Sequence, residues 1–432
     1  MHRRRRVLAC LFLCFGAAVA LSCSSSSANK SAVVSDGGEP SEPVTITWSF
    51  WGDEWEVTVN ERMVRAFERD NPGIRVRTEH HPWSEYFSWL RDQWRAGRSP
   101  DVMFLNYLPS YVPLGELEPI DQFAARETTA LTDIYPALLN SFRVNGRLYG
   151  LPRDNDTKVI YYNRAHFAEA GIPLPRAGWT WDDLRQAALA LTQRNGGADR
   201  YGFGFEPEYW WLIWLWQNGG NVLDDPQNPR SVLLNSPSNV ETLSFLQQLI
   251  HGDRVTPPAS QLNTDDMNRL FREGRLSMMF GNHTLVPWFA NTPDLSWDIA
   301  PLPQGSERAN VAGGAGFTIS RRSEHKEAAW QLVKYLTSVK AQAILAESGL
   351  IMPARRSVRE DNIFLRQQPY QAEVFLDETE IGRPVPNFAG VTDMERLIDE
   401  ALKPLWRGER GAAEILRDLE PLVEQVIGVG GS

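Results

Sequence analysis

The body of this 432-residue chain lacks cysteine: Cys10, Cys14 and Cys23 are its three, all within the first 23 positions. No disulfide framework can brace the remainder, which must be held by burial alone. Histidine is scarce, seven in all, and forms no ligand-spaced cluster. His80 and His81 are neighbours, and neighbours on a strand point to opposite faces. Positive charge is short as well. Lys and Arg number 44 against 54 Asp and Glu, a net charge of −10, and a chain that acidic is not a nucleic-acid binder by electrostatics. Apolar runs are short of the roughly 20 residues a membrane-spanning helix requires. No period of 20–50 residues recurs, which excludes a solenoid.

The signatures of catalysis are missing too. There is no Gly-x-Ser-x-Gly elbow, no His-Glu-x-x-His and no phosphate loop ending in Gly-Lys-Ser/Thr. Gly313-Gly314-Ala315-Gly316 lacks the spacing of a dinucleotide site. Carboxylate pairs at Asp53/Glu54, Asp154/Asp156 and Asp182/Asp183 could nominally serve a glycosidase. Such pairs arise freely in an acidic chain, and Asp182-Asp183 sits where a helix's first turn favours acids. We therefore expect no enzyme, no cofactor and no metal. The alternative of a secreted carbohydrate-active enzyme would need a carboxylate pair at catalytic separation.

What is present begins with Arg3–Arg6, the apolar stretch Val7–Leu21 and then Ser22-Cys23. A basic start, a short apolar core and small residues before a cut make a secretory signal over 1–22. Residues 24–43 are rich in Ser, Gly and Pro without apolar periodicity, a flexible tether. From there strands and helices alternate. Val44–Phe50 reads as a strand, 56–70 as a helix with Val59, Met63, Val64 and Phe67 on one face, and 74–78 as a strand. A helix over 84–96 and a buried strand over 101–105 follow. This alternation predicts an α/β fold with a mainly parallel sheet, whose ligands bind at the carboxyl ends of the strands. Trp51–Glu54 and Asn106-Tyr107 would share that rim.

Tyr149–Pro152 is a stiff segment, and Val159–Tyr162 is a β-branched and aromatic strand. Between them stand the polar residues Arg153–Asp156. Thr180 caps a helix that begins Trp-Asp-Asp-Leu. Four tryptophans crowd into 210–216, a stretch apolar all round and hence mostly core, with Tyr209 and Trp210 at its start the better candidates for an open aromatic face. Helices over 324–339 and 391–426 complete the pattern.

Sugar hydroxyls call for carboxylates, amides and guanidinium, and pyranose C–H faces call for flat aromatic surface. Trp51, Asp53, Glu54, Asn106, Asn155, Asp156, Tyr209, Trp210, Asn282, His283, Trp288 and Arg355 are residues of those kinds. Further stretches carry a resemblance: Trp51-Gly52-Asp53, Ser99-Pro100-Asp101-Val102, Tyr149-Gly150-Leu151-Pro152 with Tyr161-Tyr162-Asn163, Trp179–Leu184, Phe271–Gly281, Pro301-Leu302-Pro303 and Gly313-Gly314. In this order they resemble the bacterial extracellular solute-binding proteins of the sugar-binding, maltose-binding-protein-like family, over about residues 44–427.

That resemblance implies a two-lobed periplasmic-binding-protein fold of type II with a hinge crossed more than once. Lobe 1 would comprise 44–150 plus 310–345, and lobe 2 would comprise 151–309 plus 346–432. It implies a monomer that captures a carbohydrate or related polyol and hands it to the permease subunits of an ABC importer, or serves a membrane sensor kinase. By position, Asp53 would bind hydroxyls, Asp156 would follow the hinge proline, and Tyr209 would stack. Asn282-His283 stand where many members have tryptophan, and Gly314 offers close backbone approach. The Ser-Cys junction resembles a bacterial lipoprotein signal, with Cys23 acylated and the protein anchored by lipid outside the cytoplasm.

Overall fold

The computed structural model describes residues 42–127, 131–194, 196, 199–207, 210–360, 371–388 and 390–429. Cys23, the signal, the tether up to residue 41, and Tyr209 lie outside the described residues.

In β1 (Val44–Trp51) alternate side chains Ile46, Trp48 and Phe50 point into a core and are at most 1% exposed. Asp53 then starts the Glu54–Asp70 helix by accepting a hydrogen bond from Glu56 N at 2.9 Å. That helix buries Val59, Met63, Val64 and Phe67, the stripe expected from their spacing. β2 (Ile74–His81) lies parallel to β1 from Val44↔Ile74 to Trp51↔His81. The Trp83–Arg95 helix covers the sheet with Tyr86, Leu90 and Trp94, and leads to β3 (Val102–Asn106), parallel to β1. A short hairpin of β4 (Arg143–Val144) and β5 (Arg147–Leu148) precedes β6 (Gly150–Pro152).

The chain then builds a second sheet from β7 (Val159–Asn163), β8 (Met278–Gly281) and β9 (Trp297–Ala300), with β7 central and antiparallel to both neighbours. Around it a separate core gathers Phe203, Phe205, Trp214, Phe280 and faces of the Val391–Trp406 and Ala412–Ile427 helices. Trp214 is fully buried, its ring stacked on Phe280 at 5.7 Å and close to Trp181 at 5.3 Å. The tryptophan run is thus mostly packing, as its all-round apolarity requires.

β10 (Asn310–Ala312) pairs in parallel with β12 (Gly382–Pro384), outside both sheets. β11 (Ala315–Ile319) re-enters the first sheet antiparallel to β3 and to β6, giving the order β2-β1-β3-β11-β6. Four of these strands run one way and β11 runs against them, because it arrives from the other core.

Three stretches between the two cores lie side by side. Arg153 N donates to Ala315 O (2.9 Å), Asp156 N to Gly313 O (2.7 Å) and Asn155 N to Met352 O (3.2 Å). Buried Gln342, on the Val339–Glu347 helix, fastens two of them. Its Nε2 donates to Arg153 O at 2.6 Å and its Oε1 accepts from Ala354 N at 2.8 Å.

Candidate ligand-binding cleft

A cavity of about 690 Å³ opens where these crossings meet the carboxyl ends of β1 and β3. Trp51, the last residue of β1, stacks on Phe104 (4.1 Å) and meets Trp83 edge-on (5.0 Å), so its ring is held in place. Trp83, at the start of its helix, is 53% exposed and lines the cavity. Asn106 ends β3, and Tyr107 follows in the left-handed region at φ 44°, which turns the chain along the rim. Beneath that rim Arg153 is buried between Glu56 and Asp154, 2.7 Å from the Asp154 carboxylate and 4.0 Å above the Phe104 ring. Burial alone would lower the Arg153 pKa, but the two carboxylates outweigh it and raise it. Gly314, at φ 159°, passes so near that a Cβ there would lie 2.5 Å from Asp154 Oδ1.

On the opposite wall Asp156 accepts from Asn282 Nδ2 and lies 3.5 Å from Lys158 Nζ. That ammonium sits 3.7 Å over the Trp210 ring, and Trp210 Nε1 donates to Glu206 at 2.8 Å. Asn155 Nδ2 is committed to Thr157 and Thr379. His283 is buried against Phe375, and loss of hydration drives its pKa down to about 3, so it is a neutral ring.

Of the residues singled out in the sequence, Trp51, Asn106, Asn155, Asp156, Trp210, Asn282, His283 and Gly314 come together on this cavity. Asp53, Glu54, Trp288 and Arg355 are not part of its lining. Asp53 is engaged as a helix cap and Glu54 is exposed in the first turn beside it. Trp288 is 62% exposed. Arg355 is buried, donating to Thr337 O and pairing with Asp133 at 3.3 Å.

The structure adds residues that periodicity could not single out. Glu395, Asp399, Met394 and Ile398, from the Val391–Trp406 helix, form a further wall with Asn387. Tyr107 reaches across to this wall, its hydroxyl donating to Glu395 Oε2. The Glu395 pKa is raised to about 7, chiefly by burial, with the Tyr107 hydrogen bond pulling down and Asp399 pushing up.

The sequence profile of the family described as bacterial extracellular solute-binding protein matches residues 53–343. The chain belongs to this family. Among its relatives is the galactooligosaccharide-binding protein of Bacillus subtilis, 23% identical over 414 residues that cover 93% of each chain. The maltodextrin-binding protein of the same organism is 26% identical and covers 91% of each. An ABC substrate-binding protein from Listeria monocytogenes, solved in complex with cycloalternan, superposes with a TM-score of 0.79 at 22% identity, covering 90% of this chain and all of that one. The sugar-binding protein MalE from Xanthomonas citri gives 0.76 at 25% identity, covering 89% and 98%. The fold is the type II two-lobed arrangement that the family shares. Among the described residues no helix is long and apolar enough to cross a membrane.

Proposed function

We propose that the chain captures a mono- or oligosaccharide, or a related polyol, between its two lobes and delivers it to the permease of an ABC importer. The observation that carries this reading is the cleft itself. One concave site of about 690 Å³ combines Trp51, Trp83, Trp210 and Trp211 with Asn106, Asp156 and Asn282. Flat apolar rings beside amides and a carboxylate suit the alternating C–H faces and hydroxyl edges of a sugar. The sugar-binding relatives above support the same ligand class.

Closure over the solute would give the transporter a distinct state to recognise, with ligand shifting the population between open and closed lobes. The crossings near Pro152–Asp156, Gly313-Gly314 and Met352-Pro353 would form the hinge. The expected acylation of Cys23 would hold the body at a membrane through the tether, with more than one lipid chain for durable attachment. Binding without turnover fits the engagement of one acid in each of the three carboxylate pairs read from the sequence: Asp53 caps one helix, Asp183 closes a capping box with Thr180, and Asp154 is bound to Arg153.

Calorimetric titration of the purified protein with a panel of mono- and oligosaccharides tests the reading. Heat and a thermal shift with at least one sugar are expected; neither signal with any sugar would sink it. A ligand that co-purifies and is identified by mass spectrometry would name the solute.

A further inference from the structure

Five charged side chains line the cleft: Arg153, Asp154, Asp156, Glu395 and Asp399. The one arginine is already engaged by Glu56 and Asp154. Lys158, a cation beside the cleft residue Asp156, is turned onto Asp156 and the Trp210 ring. Neither leaves positive charge for a solute. Across the cavity Glu395 and Asp399 stand four residues apart on one helix, the spacing that puts both on the same face. Glu395 forms no ion pair among the described residues; its partner is the Tyr107 hydroxyl, a donor.

Asn387 adds an independent observation on the same cavity. It is 2% exposed, its Nδ2 donates to the Ser141 carbonyl, and its Oδ1 is buried without a hydrogen-bond partner. The Ser141 carbonyl can only accept, which fixes the orientation of that amide. This region therefore offers acceptors and negative charge while its donors are committed. A hydroxyl can donate to such a wall, an ammonium can only donate, and a carboxylate or phosphate can only accept.

We propose that Glu395 makes the cleft select by charge, favouring a sugar that carries a basic amine, admitting neutral sugars and rejecting uronates and sugar phosphates. This rests on the carbohydrate reading above and specifies its ligand class. An ammonium facing Glu395 makes a charge-assisted hydrogen bond in a partly dehydrated site, stronger than the hydroxyl contact it replaces. An acidic sugar meets like charge at Glu395, and the one arginine of the cleft lining is already held by Glu56 and Asp154.

The test compares three forms of one glycan by calorimetry on the purified protein at pH 8, above the raised Glu395 pKa of about 7, so that this carboxyl is ionised: the neutral sugar that binds best, its 2-amino analogue and its uronate analogue. The amine should bind about tenfold tighter than the neutral sugar and the uronate at least about tenfold weaker. Both ratios should shrink as salt is raised from 20 mM to about 500 mM. Glu395→Gln keeps an acceptor for Tyr107 and should collapse the amine-to-neutral ratio towards one. Glu400→Gln, exposed on the same helix and outside the cleft lining, should keep that ratio. A uronate that binds as well as the neutral sugar, or an amine preference that survives Glu395→Gln in a variant with an unchanged melting transition, overturns the proposal. Silence from all three forms across the panel would instead overturn the carbohydrate reading itself.

Discussion

At the scale of single residues, the same chemistry serves two purposes, and the neighbours decide which. Asp53 follows a strand end, where a cleft acid is plausible, yet the unmet N–H of Glu56 needs an acceptor and Asp53 supplies it. Asp156, with the same side chain, lies on the cavity beside Trp210 and Asn282. Trp210→Ala should cost about 1–3 kcal/mol of sugar affinity if an open face of that ring stacks on the solute, measured by calorimetry. Gly314→Ala places a methyl against Asp154 at a φ of 159°, so we expect a loss of about 2–3 kcal/mol in thermal denaturation.

Two buried histidines contribute to the acid limit. Burial lowers the His166 pKa to about 4 and the His283 pKa to about 3, from the usual 6.5. A base whose folded pKa is depressed stabilises above its ordinary value and loses that contribution as pH falls. Melting temperature should therefore drop from pH 6.5 towards 3, and more shallowly in the double variant His166→Gln, His283→Gln. Glu395 acts oppositely: its pKa is raised from 4.5 to about 7, so its contribution is full at low pH and disappears as pH rises through 7.

At the scale of elements, what could be read from the chain depended on whether a signal was local. The strand-to-helix succession from Val44 to Asn106 was legible because period-2 and period-3.6 patterns follow each other with Asn71-Pro72-Gly73 as punctuation. Burial of Trp211, Trp214 and Trp216 was legible because the run has no polar face. The wall formed by Glu395 and Asp399 was not. Two acids four apart on an amphipathic helix read as a solvated face, and only the fold brings them opposite Tyr107, nearly 290 residues earlier. The reversed β11 was equally hidden, since strand direction depends on where the chain returns from. Gln342 makes the same point: its role depends on two backbone groups that meet only in the folded chain. Gln342→Ala would leave Arg153 O and Ala354 N–H unmet and should lower stability by about 2–4 kcal/mol in urea denaturation.

At the scale of the whole molecule, three neighbouring stretches among the described residues join the two cores and are laced by main-chain hydrogen bonds. A laced strip bends easily about its own line but resists twist and slide, because either would pull Asp156 N from Gly313 O or Asn155 N from Met352 O. This lacing predicts one soft degree of freedom between the lobes, with entry and release of solute following the same coordinate. The absence of cysteine beyond position 23 allows this to be measured with two added thiols, Glu61→Cys and Arg417→Cys, both on exposed positions. Spin labels there should report two discrete distances whose populations exchange on adding ligand, and a broad continuum would argue against a single axis. A solute too long for the cleft could not be accommodated by skewing one lobe. It would prop the jaws at an intermediate angle, and length would be read as incomplete closure.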